Sequence, residues 1–178
     1  MNSLCKKISI IGASGSGKTS LGKALSNKFG YPMLDVDDIY WLPGWIKAED
    51  SIIREKLKRH LSQEEWIVTG NATTLSRELI WPNIDVLVWL DFPLRTLLWR
   101  GFKRGIHCLI FSKEICNGNF ETLERFLGKK SILLWIYSTF NRRKQEYEKI
   151  FLTKPYPCKY IRIKTNKDLY ELMEKTKW

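Results

Sequence analysis

Short runs of apolar residues alternate along the chain with longer segments in which apolar positions recur every three or four residues. The runs predict β-strands at 7–11, 32–36, 66–69, 84–90 and 159–163. The longer segments predict helices at 17–29, 49–62, 73–79, 93–105, about 130–151 and 167–176. Strands that alternate with helices are typical of an α/β fold whose sheet is mostly parallel.

Residues 106–128 interrupt this alternation. Gly105, Asn117-Gly118-Asn119 and Gly128 punctuate a segment of mixed charge. Two interpretations are open: a plain surface connection, or a lid that closes over a bound nucleotide and excludes water from phosphoryl transfer.

Length and composition favour one globular domain over residues 1–178. Hydrophobic residues make up 44% of the 178 residues. The longest apolar run lies around 132–137, far short of the roughly 20 residues that a membrane span needs. The first residues show no apolar signal segment, so we expect a cytoplasmic protein without a membrane partner. The 4 cysteines and 2 histidines are scattered and suggest neither disulfides nor a zinc site.

The net charge of +11 favours polyanionic partners, either nucleotides or nucleic acid. The basic residues cluster in two groups, namely Arg95, Arg100, Lys103 and Arg104, and Lys129, Lys130, Arg142, Arg143 and Lys144. A solvated basic surface is the simpler explanation for much of this excess.

Residues 12–19 carry the pattern G-x-x-x-x-G-K-[ST] between a predicted strand and a predicted helix. The glycines let the backbone turn tightly, so that successive N–H groups point inward toward an anion. Lys18 is expected to reach the β- and γ-phosphates, and Thr19 to ligate Mg²⁺. We therefore predict an ATP and Mg²⁺ site formed by Gly12, Ala13, Ser14, Gly15, Ser16, Gly17, Lys18, Thr19 and Ser20.

Asp35 and Asp37 follow the second predicted strand, at the edge where open α/β sheets bind ligands. Alternation along an extended chain would send both carboxylates to one side. One can then hold Mg²⁺, and the other can accept a proton from an attacking hydroxyl. Thr69 ends the third strand where an acid often organises Mg²⁺, which leaves Asp35 best placed for that role. The alternative is that Asp37 or Asp38 only caps a helix.

Three aromatic residues, Tyr40, Trp41 and Trp45, follow this pair and can wall a pocket for a flat acceptor, although ordinary packing explains them equally well. Arg100 and Arg104 are four residues apart on a predicted helix, so they share a face and can clamp phosphates. Arg125 is a candidate by position only.

Four motifs together resemble one known family. They are Gly-x-x-Gly-Ser-Gly-Lys-Thr from Gly12, Leu34-Asp35 with Tyr40-Trp41-x-Pro43-Gly44-Trp45, Trp66-Ile67-Val68-x-Gly70-Asn71, and Leu90-Asp91-x-Pro93. Over roughly residues 5–150 the chain resembles the adenylate-kinase-related P-loop proteins called DNA topology modulation proteins. That family usually reads Asp-Gly-Asn at the third motif, where this chain has Thr69.

The resemblance implies a three-layer α/β/α fold, with a five-stranded parallel sheet in the order 2-3-1-4-5. It implies ATP at 12–19, an acceptor-binding region at 36–62 and a short lid within 106–128. Arg100 and Arg104 would contact ATP, and Thr165 would lie in the turn that touches adenine. Asp35 would serve Mg²⁺ and Asp37 the acceptor hydroxyl, as in shikimate kinase. The implied site residues for the acceptor also include Tyr40, Trp41, Trp45, Gly70, Asn71 and Arg125.

We therefore expect an Mg·ATP-dependent phosphotransferase that acts on a small hydroxyl- or phosphate-bearing acceptor, with a nucleoside or nucleotide as the expected acceptor. The alternative is a nucleic-acid-binding regulatory protein built on the same fold. A GTPase is disfavoured, because Asp168 comes one residue too early for the guanine-binding pattern Asn-Lys-x-Asp.

Overall fold

The computed structural model describes residues 5–71, 74–129 and 131–175. Its strands are β1 Lys7–Gly12, β2 Met33–Asp35, β3 Trp41–Leu42, β4 Ile46–Lys47, β5 Trp66–Thr69, β6 Val86–Leu90, β7 Glu114–Ile115, β8 Asn119–Phe120 and β9 Lys159–Ile163. Its helices are α1 Lys18–Phe29, α2 Val36–Tyr40, α3 Asp50–Leu61, α4 Thr74–Ile80, α5 Leu94–Phe111, α6 Leu123–Leu127, α7 Ile132–Thr153 and α8 Asn166–Lys175, and a 3-10 turn spans Trp81–Asn83.

Five parallel strands form the central sheet in the order β2-β5-β1-β6-β9. Numbered along the chain, this is the predicted order 2-3-1-4-5, which is confirmed. In register, Asp35 lies beside Thr69 and Gly12 beside Leu90. The carboxyl ends of β1, β2 and β5 therefore meet at one edge, where parallel α/β sheets bind their ligands.

Helices cover both faces of this sheet. Leu25 of α1 and Leu97 of α5 are buried on one face, and Ile53 of α3 is buried on the other. The long helix α7 contributes to both cores, with Ile136 in the first and Tyr147 in the second. The predicted three-layer α/β/α architecture is thus confirmed, and both sheet faces are buried as apolar strands require.

The sequence pattern did not predict two small antiparallel hairpins, β3–β4 and β7–β8. They dock on each other through asparagine side chains. Asn117 Nδ2 donates to the Trp41 carbonyl at 3.0 Å, and Asn119 Nδ2 donates to the Leu42 carbonyl at 3.1 Å. The Trp45 N–H donates to Asn119 Oδ1 at 2.7 Å. The β7–β8 hairpin, within the predicted lid-like segment, is thereby tied to the predicted acceptor-binding region.

The predicted helix at 93–105 continues to Phe111, so the first six residues of the predicted lid-like segment are helical. Gly105 does not end the helix, because it makes room for Phe126 of α6. A Cβ at Gly105 would lie only 2.2 Å from the Phe126 ring. The glycine therefore serves close packing between helices rather than a turn.

The other predicted elements match to within two residues at each described end. The predicted boundaries at residues 73, 130 and 176 lie outside the described residues. Within the described ranges, no helix is both long and apolar enough to cross a membrane.

Candidate active site

The loop between β1 and α1 has a backbone that only glycine can follow at two positions. Gly12 has φ +152° and Gly15 has φ +79°. A Cβ at Gly12 would lie 2.8 Å from the Leu90 carbonyl oxygen and 2.8 Å from Ser16 Oγ. At Gly15 it would lie 2.9 Å from the Leu97 carbonyl oxygen. The loop is therefore held close to β6 and α5, and Gly17 then begins α1 in a left-handed conformation.

Lys18 is enclosed by this loop, with only 7% of the residue exposed. Its Nζ donates to the Ala13 carbonyl at 3.2 Å. Burial lowers the pKa of Lys18, while the nearby carboxylates of Asp37 and Asp35 act in the opposite direction. A buried cation at the start of a helix is suited to a polyanionic ligand.

Ser16 offers a second indication that the loop accommodates a ligand. Its Oγ is buried and has no hydrogen-bond partner among the described residues. Buried hydroxyls in folded proteins are nearly always paired. An unpaired hydroxyl in a glycine-rich loop, close to Lys18, fits a phosphate oxygen of ATP. Ser14 lies half-buried in the same loop, and Ser20 is exposed in the first turn of α1.

Thr19 and Asp35 form the oxygen pair that suits Mg²⁺. Thr19 Oγ1 donates to Asp35 Oδ2 at 2.6 Å. Mg²⁺ favours hard oxygen ligands, and it usually takes one or two from the protein and the others from water and phosphate. No group of three or more His, Cys, Asp or Glu side chains in the described ranges is arranged to hold a metal. The donor set therefore fits Mg²⁺ rather than zinc.

Asp35 and Asp37 come together by a different route from the one predicted. Strand β2 ends at Asp35, and the helix α2 begins at Val36, so the alternation expected for an extended chain was wrong. Asp35 caps α2 instead, because its Oδ1 accepts the Asp37 N–H at 3.1 Å. The helical turn places the Asp37 carboxylate beside Lys18.

Burial raises the pKa of Asp37, and the nearby charge of Lys18 partly offsets this rise. The neighbouring Asp38 also has a raised pKa, first because of burial and then because of Asp35 and Asp37. A carboxyl group whose pKa is shifted toward neutrality is suited to accept a proton.

Gly70 closes the site from the end of β5. Its φ is +123°, and a Cβ there would lie 3.0 Å from Val36 Cβ and 3.4 Å from Asp35 Oδ1. The next residue, Asn71, is turned toward α7, where its Oδ1 accepts a hydrogen bond from the Tyr147 hydroxyl at 2.9 Å. The glycine therefore keeps space for the Asp35 turn.

The change Gly70→Ala is expected to lower the free energy of unfolding by about 2–3 kcal/mol, because it adds backbone strain and a close contact with Val36. It should also displace Asp35 and weaken Mg²⁺-dependent ATP binding. Gly30→Ala is a matched control, since φ is +76° there and nothing lies within 4 Å of the added Cβ. We expect it to cost only about 1 kcal/mol. Urea unfolding of both variants measures the difference, and equal losses would contradict the role of the contact.

Arg100 joins the phosphate loop to the turn between β9 and α8. One guanidinium nitrogen donates to the Ser16 carbonyl at 3.1 Å, and another donates to Asn166 Oδ1 at 2.8 Å. Thr165 lies in that turn, where its N–H donates to Asp168 and its hydroxyl accepts from the Asp168 N–H. Arg104, one helical turn after Arg100, is close enough to influence the pKa values of Lys18 and Asp37.

Arg143 of α7 is a further candidate site residue. The sequence alone identified it only as one member of a basic cluster. It lines a small cavity with Ala13 and Tyr147. Its charge acts on both Lys18 and Asp37, and its buried Nε has no hydrogen-bond partner among the described residues. Lys144 lines the same cavity, but only Arg143 of the basic run at 142–144 is close enough to influence the pKa values of both Lys18 and Asp37.

The predicted acceptor residues form an aromatic wall beside Asp37. The Tyr40 and Trp41 rings are 4.9 Å apart, and those of Trp41 and Trp45 are 5.8 Å apart, both edge to face. Arg125 of α6 lies over the Trp45 ring at 3.8 Å from its centroid.

Burial and the three nearby aspartates raise the pKa of Cys116 to about 12, which makes the Cys116 thiol unreactive as a nucleophile.

Asn119 is expected to hold this wall in place, because it is 2% exposed and its amide bonds the backbone of Leu42, Trp45 and Cys116. Asn119→Ala leaves those groups unpaired, so it should lower the free energy of unfolding by about 2–3 kcal/mol. Hydrogen exchange at the Trp45 amide should accelerate in parallel. Asn117→Gly is the control, since it removes one exposed bond at a residue with φ +59°, which glycine tolerates. An equal effect of the two changes would contradict this assignment.

Comparison with known proteins finds solved structures with the same fold. The solved shikimate kinase of Acinetobacter baumannii, in complex with shikimate, superimposes with a TM-score of 0.58 at 18% identity, over 97% of this chain and 95% of the other. This likeness shows that the two chains share a fold. In sequence, the shikimate kinase of Sulfurihydrogenibium sp. (strain YO3AOP1) is 31% identical over 110 residues, which are 53% of this chain and 66% of that enzyme.

No protein-family model matches the chain. A stronger sequence relationship links it to the uncharacterized protein YqaC of Bacillus subtilis (strain 168). The two are 36% identical over 135 residues, which cover 73% of this chain and 70% of the relative. The chain therefore belongs to the YqaC family of proteins.

Proposed function

We propose that this chain transfers the terminal phosphoryl group of Mg·ATP to a small acceptor through a hydroxyl or phosphate oxygen. The observation that carries the proposal is the pair formed by the buried Lys18 and the half-buried Asp37, a cation and a carboxylate that lie where the phosphate loop meets the end of β2. A binding protein that only holds a nucleotide has no need for a carboxylate with a raised pKa near Lys18. A phosphotransferase whose acceptor is a hydroxyl needs one to receive the proton of that hydroxyl.

In the proposed mechanism, the loop N–H groups and Lys18 stabilise the charge on the transferring phosphoryl group. Arg100 and Arg104 add positive charge from the side of α5. Asp37 orients the attacking oxygen of the acceptor; it accepts the proton when that oxygen belongs to a hydroxyl, whereas a phosphate oxygen attacks without losing a proton, and ADP leaves in either case. Thr19 and Asp35 would hold Mg²⁺, which supplies Lewis-acid neutralisation of the phosphate oxygens when it is bound.

For the acceptor, we propose a nucleoside or nucleotide. Trp41 and Trp45 offer flat apolar surfaces next to Asp37, and Arg125 over Trp45 offers a stacked cation that can face a base or a phosphate. A base held against such rings would place its sugar hydroxyl or phosphate toward the phosphate loop. The aromatic motif Tyr40-Trp41-x-Pro43-Gly44-Trp45 resembles that of the DNA topology modulation proteins. It supports our proposal that the chain is a member of that family.

An acceptor screen tests the proposal directly. The chain is incubated with ATP and Mg²⁺ and with nucleosides, nucleoside monophosphates and shikimate in separate reactions. Mass spectrometry should detect a phosphorylated nucleoside or nucleotide together with ADP. Phosphorylated shikimate alone would replace the nucleoside proposal while keeping the phosphotransferase. The absence of every product, together with the absence of an ATP-dependent rise in melting temperature, would refute the phosphotransferase itself.

A further inference from the structure

The outer surface of α5 and α6 exposes a cluster of large apolar side chains. We call this the α5–α6 face, and its residues, which are 41% to 73% exposed, are Trp99, Phe102, Ile110, Leu123 and Leu127. The Trp99 and Phe102 rings are stacked with centroids 6.1 Å apart. Phe102 in turn lies 5.9 Å from Phe126, which joins α6 to α5. Several large exposed apolar side chains on two helices that are in contact mark a place of interaction.

This surface is not an unfinished part of the core. The opposite stripe of α5, formed by Leu97, Gly101, Gly105 and Cys108, is already buried. Gly101 lets α5 approach Ile136 and Leu133 of α7 closely. The packing of α5 against the protein is therefore complete, and the α5–α6 face remains free for a partner.

Basic residues are also numerous in this part of the chain. Residues 95–144 contain 11 Lys and Arg but only 3 Glu, and of these 11 residues Arg100, Arg104, Arg125 and Arg143 lie at the candidate active site. Lys103 belongs to the α5–α6 face, since its Nζ lies 4.9 Å from the Trp99 ring centroid. Lys129 is exposed just after α6, and Glu124 is the exposed acidic residue of α6. The face therefore favours a partner that is anionic and that also buries apolar side chains.

We propose that the α5–α6 face docks on the surface of an anionic phospholipid bilayer. Its Trp, Phe, Leu and Ile side chains would enter the boundary between headgroups and acyl chains, while Lys103 and Lys129 would meet lipid phosphates. The sequence carries no predicted membrane-spanning segment, which is why no membrane partner was expected, but surface docking needs no such segment.

Two other partners fit these observations less well. A second copy of the chain would bring the lysines of two such faces together, which like charges oppose. A single-stranded nucleic acid would stack on Trp99 and Phe102 but would leave the aliphatic side chains of Ile110, Leu123 and Leu127 in water. An anionic bilayer accommodates aliphatic, aromatic and basic side chains at once.

Vesicle sedimentation tests the proposal with the full chain. We expect binding to phosphatidylcholine vesicles that contain phosphatidylglycerol, weak binding to pure phosphatidylcholine, and release by high salt. Lys103→Gln should weaken binding about fivefold, and Leu127→Ser combined with Phe102→Ser should abolish it. The controls Lys56→Gln on α3 and Tyr170→Ser on α8 change equally exposed residues elsewhere and should bind as the unchanged chain does.

Circular dichroism and ATP-dependent thermal stabilisation show whether each variant is folded, independently of lipid. Equal binding to both kinds of vesicle would overturn the proposal, as would binding that Lys103→Gln and the double variant Leu127→Ser with Phe102→Ser leave unchanged. Self-association without lipid that the double variant abolishes would assign the face to a second copy. Displacement from vesicles by a single-stranded oligonucleotide, with oligonucleotide binding lost in the same variants, would assign it to nucleic acid.

Discussion

Lys18→Met lowers the rate of phosphoryl transfer about a thousandfold or more and leaves the chain folded; this is the largest effect that we expect from a single change. Methionine nearly preserves the volume of the buried side chain, so the core should not collapse. What is lost is the cation that the loop encloses next to the transferred phosphate. Removal of one preorganised charge or donor in such a site typically costs about 10²–10⁵ in rate.

The rate is measured as ADP release with the best acceptor, and melting temperature is followed with and without Mg·ATP. Lys23→Met is the matched control, because Lys23 lies on the same helix and is exposed. We expect the control to keep its turnover, and Lys18→Met to lose most of the ATP-dependent stabilisation as well. Turnover within tenfold of the unchanged chain would remove Lys18 from the mechanism.

The strands of the sheet were predictable because each one can be recognised from a short stretch of sequence. Each of the five strands is a short apolar run with polar flanks, and each crossover carries a helical pattern, so parallel pairing follows from topology. The β3–β4 and β7–β8 hairpins were not predictable in this way. Each strand is only two residues long, and the hairpins are held by side-chain bonds between Asn117 or Asn119 and a backbone more than seventy residues away.

For the candidate site, the sequence identified the residue types better than their geometry. The loop at 12–19 was predictable from the spacing of its residues, because Gly12 and Gly15 allow a close backbone approach that a Cβ would block and Gly17 has a left-handed φ of +96°. The pairing of Asp35 with Asp37 was expected for the wrong reason, since a helix and not an extended strand brings them together. Arg143 could not be separated from its basic neighbours without the packing of α7.

Asp37→Asn is expected to abolish most turnover and yet to stabilise the fold. If Asp37 accepts the acceptor proton, its loss should cost about 10²–10⁴ in rate. The stability effect has the opposite sign, because burial raises the pKa of Asp37 and its charged form is therefore disfavoured in the folded state. Asparagine carries no charge, so the variant escapes this penalty.

The pH dependence follows from the direction of the same shift. A raised carboxyl pKa means that the folded chain binds more protons than the unfolded chain between the ordinary carboxyl pKa and the raised value. Stability of the unchanged chain therefore falls as pH rises through that window, and the penalty is fully present above it. The stability difference between Asp37→Asn and the unchanged chain should thus be greatest near neutral pH and should shrink on acidification.

Urea unfolding at several pH values, together with ADP release, measures both effects. Asp50→Asn is the control, because Asp50 is an exposed partner of Lys47 at 2.8 Å on α3 and should change neither rate nor stability appreciably. A stable but inactive Asp37→Asn variant would mean that this half-buried carboxylate is kept for its chemistry at the expense of the fold. Normal turnover would exclude Asp37 as the base, and a destabilised variant would show that its charge is compensated by Lys18 and the neighbouring arginines.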